Sequence, residues 1–170
     1  MTHFLYKNNP EYPVKAAGVI FTKKGYNYNS ILMQDLTLKN YIQDFGGKVD
    51  DTDKNILETV CRELFEESNA SIYYKNTKKF LSINQLKRLV NNNRYRILYL
   101  KNSKYLFFFV NFPNTVNINF NVSGDYEILD MIPRTVKWYT MKDFFELQQK
   151  NKLHIRLDNK YVLNILSELL

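Results

Sequence analysis

Residues 45–68 read FGGKVDDTDKNILETVCRELFEES and hold seven acidic side chains within 24 positions. The chain as a whole is basic, with a net charge of +7 over 170 residues. Like charges at helical spacing repel one another by about 0.2–0.5 kcal/mol per pair. A positive group is therefore expected next to this acidic cluster.

The second half of this stretch predicts a helix with two distinct stripes. The apolar stripe has the i, i+3, i+4, i+7 spacing of a helix and consists of Leu57, Val60, Cys61 and Leu64. The acidic stripe lies beside it at i, i+3, i+4 and consists of Glu63, Glu66 and Glu67. One face is thus expected to be buried, and the neighbouring face carries clustered carboxylates.

The ends of this helix are also marked in the sequence. Asn55 followed by Glu58 predicts a capping box, so the helix should begin near Ile56. Asn69 can adopt the left-handed conformation that ends a helix.

Three carboxylates within one helical turn suit a hard divalent cation such as Mg²⁺, which takes oxygen ligands and shares its shell with water and substrate phosphates. The alternative is a solvated acidic face paired with Arg62. The preceding Gly46 and Gly47 favour the metal site, because glycines allow a backbone carbonyl to face a metal and a phosphate to approach closely.

Gly47 followed by RELFEESNA at residues 62–70 resembles the Nudix box, G-x5-E-x7-R-E-U-x-E-E-x-G-U, where U is a bulky aliphatic residue. The R-E-L-x-E-E core matches position by position, and a weaker resemblance extends over most of the chain. The resemblance implies a Nudix-type α/β/α sandwich and hydrolysis of a nucleoside diphosphate linked to another group, X.

The sequence departs from that pattern at three places. The interval from Gly47 to Arg62 is one residue too long, so the mid-box glutamate falls on Asp53 or on Lys54. We favour Asp53, with an insertion in the loop before the helix, because extra loop residues cost little. Asn69 stands where the box has glycine, and Ala70 stands at the final aliphatic position, with Ile72 available to pack instead.

The resemblance also implies roles for individual residues. Mg²⁺ or Mn²⁺ would be held by Glu63, Glu66 and Glu67 together with the Gly47 carbonyl. Arg62 would orient the carboxylates, and a direct contact with phosphate is its alternative role. Lys48 is a candidate phosphate ligand, and the alternative is a solvated loop lysine. Glu127 is the candidate for a further acid outside the box, with Asp125 as its rival.

The rest of the chain predicts a single mixed α/β domain over residues 1–170, with a mixed sheet and flanking helices. Strands are expected at residues 14–24 and 30–36, in a hairpin at 94–113, and at 134–140. Helices are expected at residues 78–93, 141–151 and 158–170, and the first of these is interpreted as an insertion. Residues 40–45 are expected to be a loop that leads into the acidic stretch.

The acid-free region, residues 69–124, contains nine Lys or Arg and no Asp or Glu. All of its charged side chains are positive and tyrosines lie between them, which suggests single-stranded RNA, with Lys87, Arg88, Arg94 and Arg96 as candidate phosphate contacts. The alternative is a solvated, lysine-rich surface without a ligand. Capped RNA (mRNA decapping) is the first substrate hypothesis. A free nucleotide and a diphosphoinositol polyphosphate are alternatives, as is a non-catalytic RNA-binding module.

Composition indicates the cellular compartment of the protein. A single cysteine excludes an internal disulfide and fits a reducing compartment. No apolar run is long enough to span a membrane. A cytoplasmic protein is therefore expected.

Overall fold

A seven-stranded mixed sheet forms the middle layer of the protein, whose computed structural model describes residues 4–170. No helix among these residues has the length and apolar character needed to cross a membrane. The strands are β1 (Phe4–Leu5), β2 (Pro13–Val14), β3 (Ala16–Lys23), β4 (Ser30–Leu36), β5 (Tyr41–Gln43), β6 (Phe45–Lys48), β7 (Ile72–Tyr74), β8 (Arg94–Leu100), β9 (Tyr105–Asn111), β10 (Val116–Ile118), β11 (Tyr126–Glu127), β12 (Ile132–Pro133) and β13 (Thr135–Thr140). The helices are α1 (Ile56–Glu67), α2 (Ile83–Asn93), α3 (Phe120–Ser123), α4 (Met141–Gln149) and α5 (Lys160–Ser167).

The main path of the sheet runs in the order β13-β4-β3-β9-β8. The central strands β3 and β9 are parallel, with Gly18 opposite Phe107, whereas the other pairs are antiparallel. Along its other side, β3 pairs first with β6 and then with β4. The two partners therefore occupy successive parts of the same edge of β3.

Alternating side chains of the central strands divide the core into two layers, as the pleat requires. On β9, Phe108 faces the layer that contains α1 and α2, whereas Phe107 and Phe109 face the layer that contains α4 and α5. Each fully buried phenylalanine contributes about 1.5–3 kcal/mol through the hydrophobic effect. The result is an α/β/α sandwich, so the expected mixed fold with flanking helices is confirmed.

Helix α1 begins at Ile56, as the sequence predicts, and the Asn55 side chain accepts a hydrogen bond from the Glu58 amide at 3.1 Å. The second half of the predicted capping box differs, because the Glu58 carboxylate accepts from the amide of Lys54 rather than from that of Asn55. Helix α2 begins five residues later than predicted. A complete capping box of Ser82 and Gln85 sets its start, and its apolar side packs into the core beside α1.

The prediction of a loop at residues 40–45 was wrong, because two short strands, β5 and β6, lie there and in the following glycines. Gly46 is opposite Gly18 across β6 and β3, and a Cβ on either glycine would clash with the hydroxyl of Tyr105. Tyr105 is remote in sequence. The strand therefore depends on a close tertiary approach that local propensity does not reveal.

Candidate active site

The acidic stripe of α1 opens into a small pocket of about 50 Å³ between α1, the end of β4 and the start of β12. Four of its five acidic side chains were candidates in the sequence, and Asp130 was not. The pocket is lined by Gln34, Leu36, Gln43, Glu63, Glu66, Glu67, Glu127, Asp130, Ile132 and Arg134. The helix thus brings Glu63, Glu66 and Glu67 together on one surface, as their spacing predicts.

Arg62 supplies the positive group that the acidic stretch was expected to need. Its Nη1 donates to Glu63 Oε1 at 2.8 Å and to Glu66 Oε2 at 3.4 Å. Its Nε and Nη2 donate to the two carboxylate oxygens of Asp53 at 3.1 and 3.0 Å, and Nη2 also reaches the Lys48 carbonyl at 2.9 Å. A planar guanidinium can make this forked set of contacts, whereas an ammonium group cannot.

The structure separates the two candidates for the mid-box carboxylate. Asp53 is only 5% exposed and accepts additional hydrogen bonds from the Asp50 amide and the Thr59 hydroxyl, at 2.9 and 2.8 Å. Lys54 is exposed, and its amide donates to Glu58. Asp53 is therefore the residue that contacts Arg62, across the turn that precedes α1.

The two glycines of β6 let the strand lie directly against α1. The Gly46 amide donates to Glu67 Oε2 at 2.7 Å. A Cβ on Gly47 would lie 2.5 Å from Glu63 Cδ and 2.6 Å from each of its carboxylate oxygens. Two of the three helix glutamates are therefore held against the backbone of β6, and the exposed side chain of Lys48 follows at its end.

Crowding and burial weaken the ionisation of these glutamates. Burial raises the pKa of Glu63 and of Glu66 above the ordinary value, in spite of their contacts with Arg62. Burial, together with the negative charges of Glu63 and Asp44, raises the pKa of Glu67 well above it. A divalent cation would relieve this repulsion.

The donor set fits an openly coordinated cation rather than a closed cage. Within residues 4–170, no three His, Cys, Asp or Glu side chains are already arranged as a metal cage. Mg²⁺ does not need one, because it binds through one or two carboxylates, several waters and the substrate's phosphates. The clustered oxygens of Glu63, Glu66 and Glu67 beside a pocket of about 50 Å³ suit that mode of binding.

Glu127 lies across the pocket from α1, although it is about sixty residues away in sequence. It is 4% exposed, and its two carboxylate oxygens accept hydrogen bonds from the amides of Leu129 and Asp130 at 3.1 and 2.8 Å. Its charge also contributes to the raised pKa of Glu66. The rival candidate, Asp125, is exposed and lines a different surface depression.

Sequence reasoning missed two residues that tie this side of the pocket to α1. Arg134 is 1% exposed and donates only to backbone carbonyls: Glu67 twice, at 2.7 and 3.0 Å, Ser123 at 2.8 Å and Gly124 at 2.9 Å. The sequence predicts only a helix-ending role for Asn69, yet its side-chain amide also bonds to the backbone of Ser123, Tyr126 and Ile128. Arg134 stands at the start of a predicted strand, where no local pattern marks a buried arginine.

A second buried network supports β6 from the other face of the sheet. Asp44 is fully buried and accepts from the Tyr105 hydroxyl at 2.6 Å and from Arg156 Nε at 2.7 Å. The Arg156 guanidinium lies 4.7 Å from the centroid of the Tyr105 ring. These three residues fix the chain immediately before Phe45, where the acidic stretch starts.

The basic candidates for substrate binding do not form one cluster. Lys87, on α2, pairs with Glu58 at 3.0 Å, and Arg96 pairs with Glu168 near the C-terminus at 3.3 Å. Arg88 and Arg94 are exposed, and the Arg94 guanidinium lies 6.0 Å from the Phe108 ring. None of the four lines the acidic pocket.

Comparison with known proteins gives matches among solved structures. No family model and no curated protein matches the chain. It is similar to a binary complex of C. elegans Ap4A hydrolase, at 16% identity and TM-score 0.47, with 91% of this chain and 94% of that chain covered. It is also similar to a NUDIX family hydrolase from Clostridium perfringens, at 14% identity and TM-score 0.45, covering 91% and 97%. A third is the NUDIX domain of Shewanella oneidensis NrtR complexed with ADP ribose, at 12% identity and TM-score 0.42, covering 78% and 76%.

Two of these three structures carry the family name that the sequence motif indicates. At these TM-scores the likeness is loose. The function proposed below rests on the geometry of this chain's own residues.

Proposed function

We propose that the chain is a Nudix hydrolase that cleaves a diphosphate linkage in a nucleoside diphosphate joined to another group, X. One observation carries this proposal: Glu63, Glu66 and Glu67 face a single pocket, and Arg62 links two of them to Asp53. A merely solvated acidic face would not need glycines that bring β6 against the same carboxylates.

Glu63, Glu66 and Glu67, together with the Gly47 carbonyl, are the proposed ligands of Mg²⁺ or Mn²⁺. When bound, the metal would neutralise charge on the diphosphate and lower the pKa of the water that attacks phosphorus. Arg62 keeps the carboxylates in place, because metal-ligating carboxylates are oriented by hydrogen bonds from the residues around them.

Two further residues have proposed roles in the reaction. Glu127 is the proposed additional acid, which takes the proton of the attacking water, because its carboxylate lies in the pocket and is oriented by two backbone amides. Lys48, exposed at the end of β6, is the proposed phosphate ligand.

Capped RNA is the substrate that we propose first, because the acid-free region carries nine cations and interleaved tyrosines. Phosphates of the strand would contact Lys87, Arg88, Arg94 and Arg96. A diphosphoinositol polyphosphate would use the same cations. The proposed setting is the cytoplasm.

A free nucleotide is the second candidate, and a specific observation favours it. Lys87 and Arg96 already pair with Glu58 and Glu168, so they would have to exchange a carboxylate for a phosphate. A small substrate held through the metal needs neither residue.

The test is turnover of cap-labelled RNA, a nucleotide panel and diphosphoinositols, each with Mg²⁺, with Mn²⁺ and with EDTA. We expect metal-dependent release of product from at least one substrate. Glu66→Gln and Glu67→Gln should each lower kcat by about 100-fold or more, because loss of one electrostatic component of a site costs about 10²–10³ in rate. Near-normal turnover by either variant would remove the metal assignment, and RNA binding without any turnover would favour a non-catalytic module.

A further inference from the structure

The segment that carries Glu127 is tied to the end of α1 by side chains rather than by the main sheet. We call residues 123–130 the Glu127 loop. Its large apolar side chains Ile128 and Leu129 are 67% and 65% exposed, and Met131, which follows the loop, is 67% exposed. Burial of its own apolar side chains therefore contributes little to holding this loop, so polar contacts must fix it.

Asn69 supplies three of those polar contacts. Its side-chain Nδ2 donates to the carbonyls of Ser123 and Tyr126, both at 2.7 Å, and its Oδ1 accepts from the Ile128 amide at 2.9 Å. The three bonded backbone groups lie on both sides of Glu127. Both N–H donors of the amide and one acceptor position of its oxygen are thus directed to one loop.

Arg134 completes the attachment from within the fold. Its guanidinium binds the same Ser123 carbonyl at 2.8 Å and also the Glu67 carbonyl at the last turn of α1. Asn69 and Arg134 therefore connect α1, which carries the acidic stripe, to the Glu127 loop.

Residue 69 must also adopt a left-handed backbone, with φ of +54°. Glycine meets that requirement but has no side chain to bind the loop, whereas asparagine is among the few other residues that tolerate it and adds an amide. Asn69, which stands where the motif has glycine, thus makes three side-chain hydrogen bonds that glycine could not make.

From this geometry we infer that Asn69 is a positioning residue, which holds the Glu127 carboxylate at a fixed place opposite the glutamates of α1. This inference rests on the proposed function for its catalytic consequence. Its structural part, that the Asn69 amide orders the Glu127 loop, can be measured without any activity.

The decisive variant is Asn69→Gly, which keeps the left-handed turn and removes the three hydrogen bonds. Asn151→Gly is the matched control, because Asn151 has the same left-handed backbone (φ +56°) after the end of α4 and is exposed on the other side of the sheet. The two variants share the backbone consequences of glycine, so a difference between them reports the Asn69 side chain.

The first measurement is amide hydrogen exchange. In Asn69→Gly the amides of Ile128, Leu129 and Asp130 should exchange at least about tenfold faster, since local opening sets protection. The amides of α1 and all amides of Asn151→Gly should keep the protection of the unaltered protein. Unchanged exchange in the Glu127 loop of Asn69→Gly would overturn the inference, and so would a general loss of protection.

The second measurement is kinetic and uses the substrate found in the turnover panel. Asn69→Gly should lower kcat by about 10–100-fold, as loss of a residue that orients another typically does, with a smaller change in KM. In a Glu127→Gln background the same change should lower kcat by less than about twofold, because coupled residues are not additive. Equal losses in both backgrounds would show that Asn69 does not act through Glu127.

The two measurements distinguish a failure of the proposed hydrolase function from a failure of the proposed role of Asn69. If no substrate is turned over, the proposed function fails, while hydrogen exchange still decides whether Asn69 holds the loop. If turnover is normal in Asn69→Gly although the loop is loosened, the positioning role is wrong and the hydrolase assignment stands.

Discussion

At the scale of single residues, Arg62 is the group on which the candidate site depends. It contacts Asp53, Glu63, Glu66 and the Lys48 carbonyl through three nitrogens, so one side chain links the turn, the helix and the strand. The sequence could predict that Arg62 pairs with neighbouring carboxylates. It left the identity of the mid-box partner open between Asp53 and Lys54, because spacing alone does not show where a loop takes up an extra residue.

Asp53→Asn is expected to weaken both activity and stability, whereas Lys54→Ala should change neither. Asp53 accepts two bonds from Arg62 and is buried, so its replacement leaves the guanidinium short of a charged partner at a cost of about 1–3 kcal/mol. The measurements are kcat and the free energy of unfolding of both variants. The reverse ranking would mean that Lys54 occupies the mid-box position.

Asp53 is also expected to make the stability of the protein depend on pH. Burial opposes ionisation of Asp53, but hydrogen bonds from Arg62, the Asp50 amide and Thr59 outweigh it, and its pKa is lowered. Its contribution to stability is therefore present above its ordinary pKa and is lost as the pH falls through the lowered folded value. Unfolding curves of Asp53→Asn should lack this acid-linked part of the loss, and identical pH profiles for the variant and the unaltered protein would contradict the prediction.

At the scale of elements, the contact between β6 and α1 positions the carboxylates. Helix α1 could be predicted closely because its stripes, its cap and its left-handed end are all local signals. Strand β6 could not, since its two glycines are required by close contacts with side chains of other elements, Tyr105 of β9 and Glu63 of α1. The sequence identified Glu127 as a candidate acid. It did not identify Asn69 and Arg134 as the side chains that hold the Glu127 loop.

The neighbouring glycines of β6 should respond differently to the same substitution. In Gly47→Ala the three atoms nearest to the new Cβ would be those of the flexible end of Glu63, at 2.5–2.6 Å, so the fold should persist while the carboxylate is displaced. We expect a loss of about 100-fold in kcat. In Gly46→Ala the Cβ would meet backbone atoms of Ala17 and Gly18 at 2.5 Å, so the fold itself should be destabilised.

Thermal unfolding and turnover of both alanine variants test this contrast. A Gly47→Ala protein that retains turnover within about twofold would show that the position of Glu63 does not matter, contrary to its expected part in transition-state stabilisation. A Gly46→Ala protein as stable as the unaltered one would contradict the close approach of β6 and β3.

At the scale of the whole molecule, the two faces of the sheet carry different parts of the charge pattern. The acidic pocket and α2 with Lys87 belong to one face, whereas Arg96 pairs with Glu168 beyond the end of α5 on the other. A count of charges along the chain could show that residues 69–124 lack acids. It could not show that some of the cations already have carboxylate partners from other parts of the fold.

Salt dependence distinguishes the substrate classes. Each phosphate contact with a single strand lowers log K by about 0.7 per tenfold rise in salt. Four contacts would lower RNA affinity by about 50-fold between 50 and 200 mM salt, and two contacts, from Arg88 and Arg94 alone, by about sevenfold. A free nucleotide held through the metal should lose far less. A flat slope for capped RNA would exclude the acid-free region as an RNA surface and move the free-nucleotide candidate into first place.

The central claim is that the glutamates of α1 bind a divalent metal, and direct titration of Mn²⁺ measured by electron paramagnetic resonance tests it most simply. The comparison is between the unaltered protein, Glu66→Gln and Glu146→Gln, which removes the same charge from an exposed position of α4 on the other face. We predict binding by the unaltered protein and by Glu146→Gln with equal affinity, and an affinity at least about tenfold weaker for Glu66→Gln, since loss of a charged ligand removes a principal oxygen donor. Equal affinity of all three proteins, or no binding by the unaltered protein, would contradict the account.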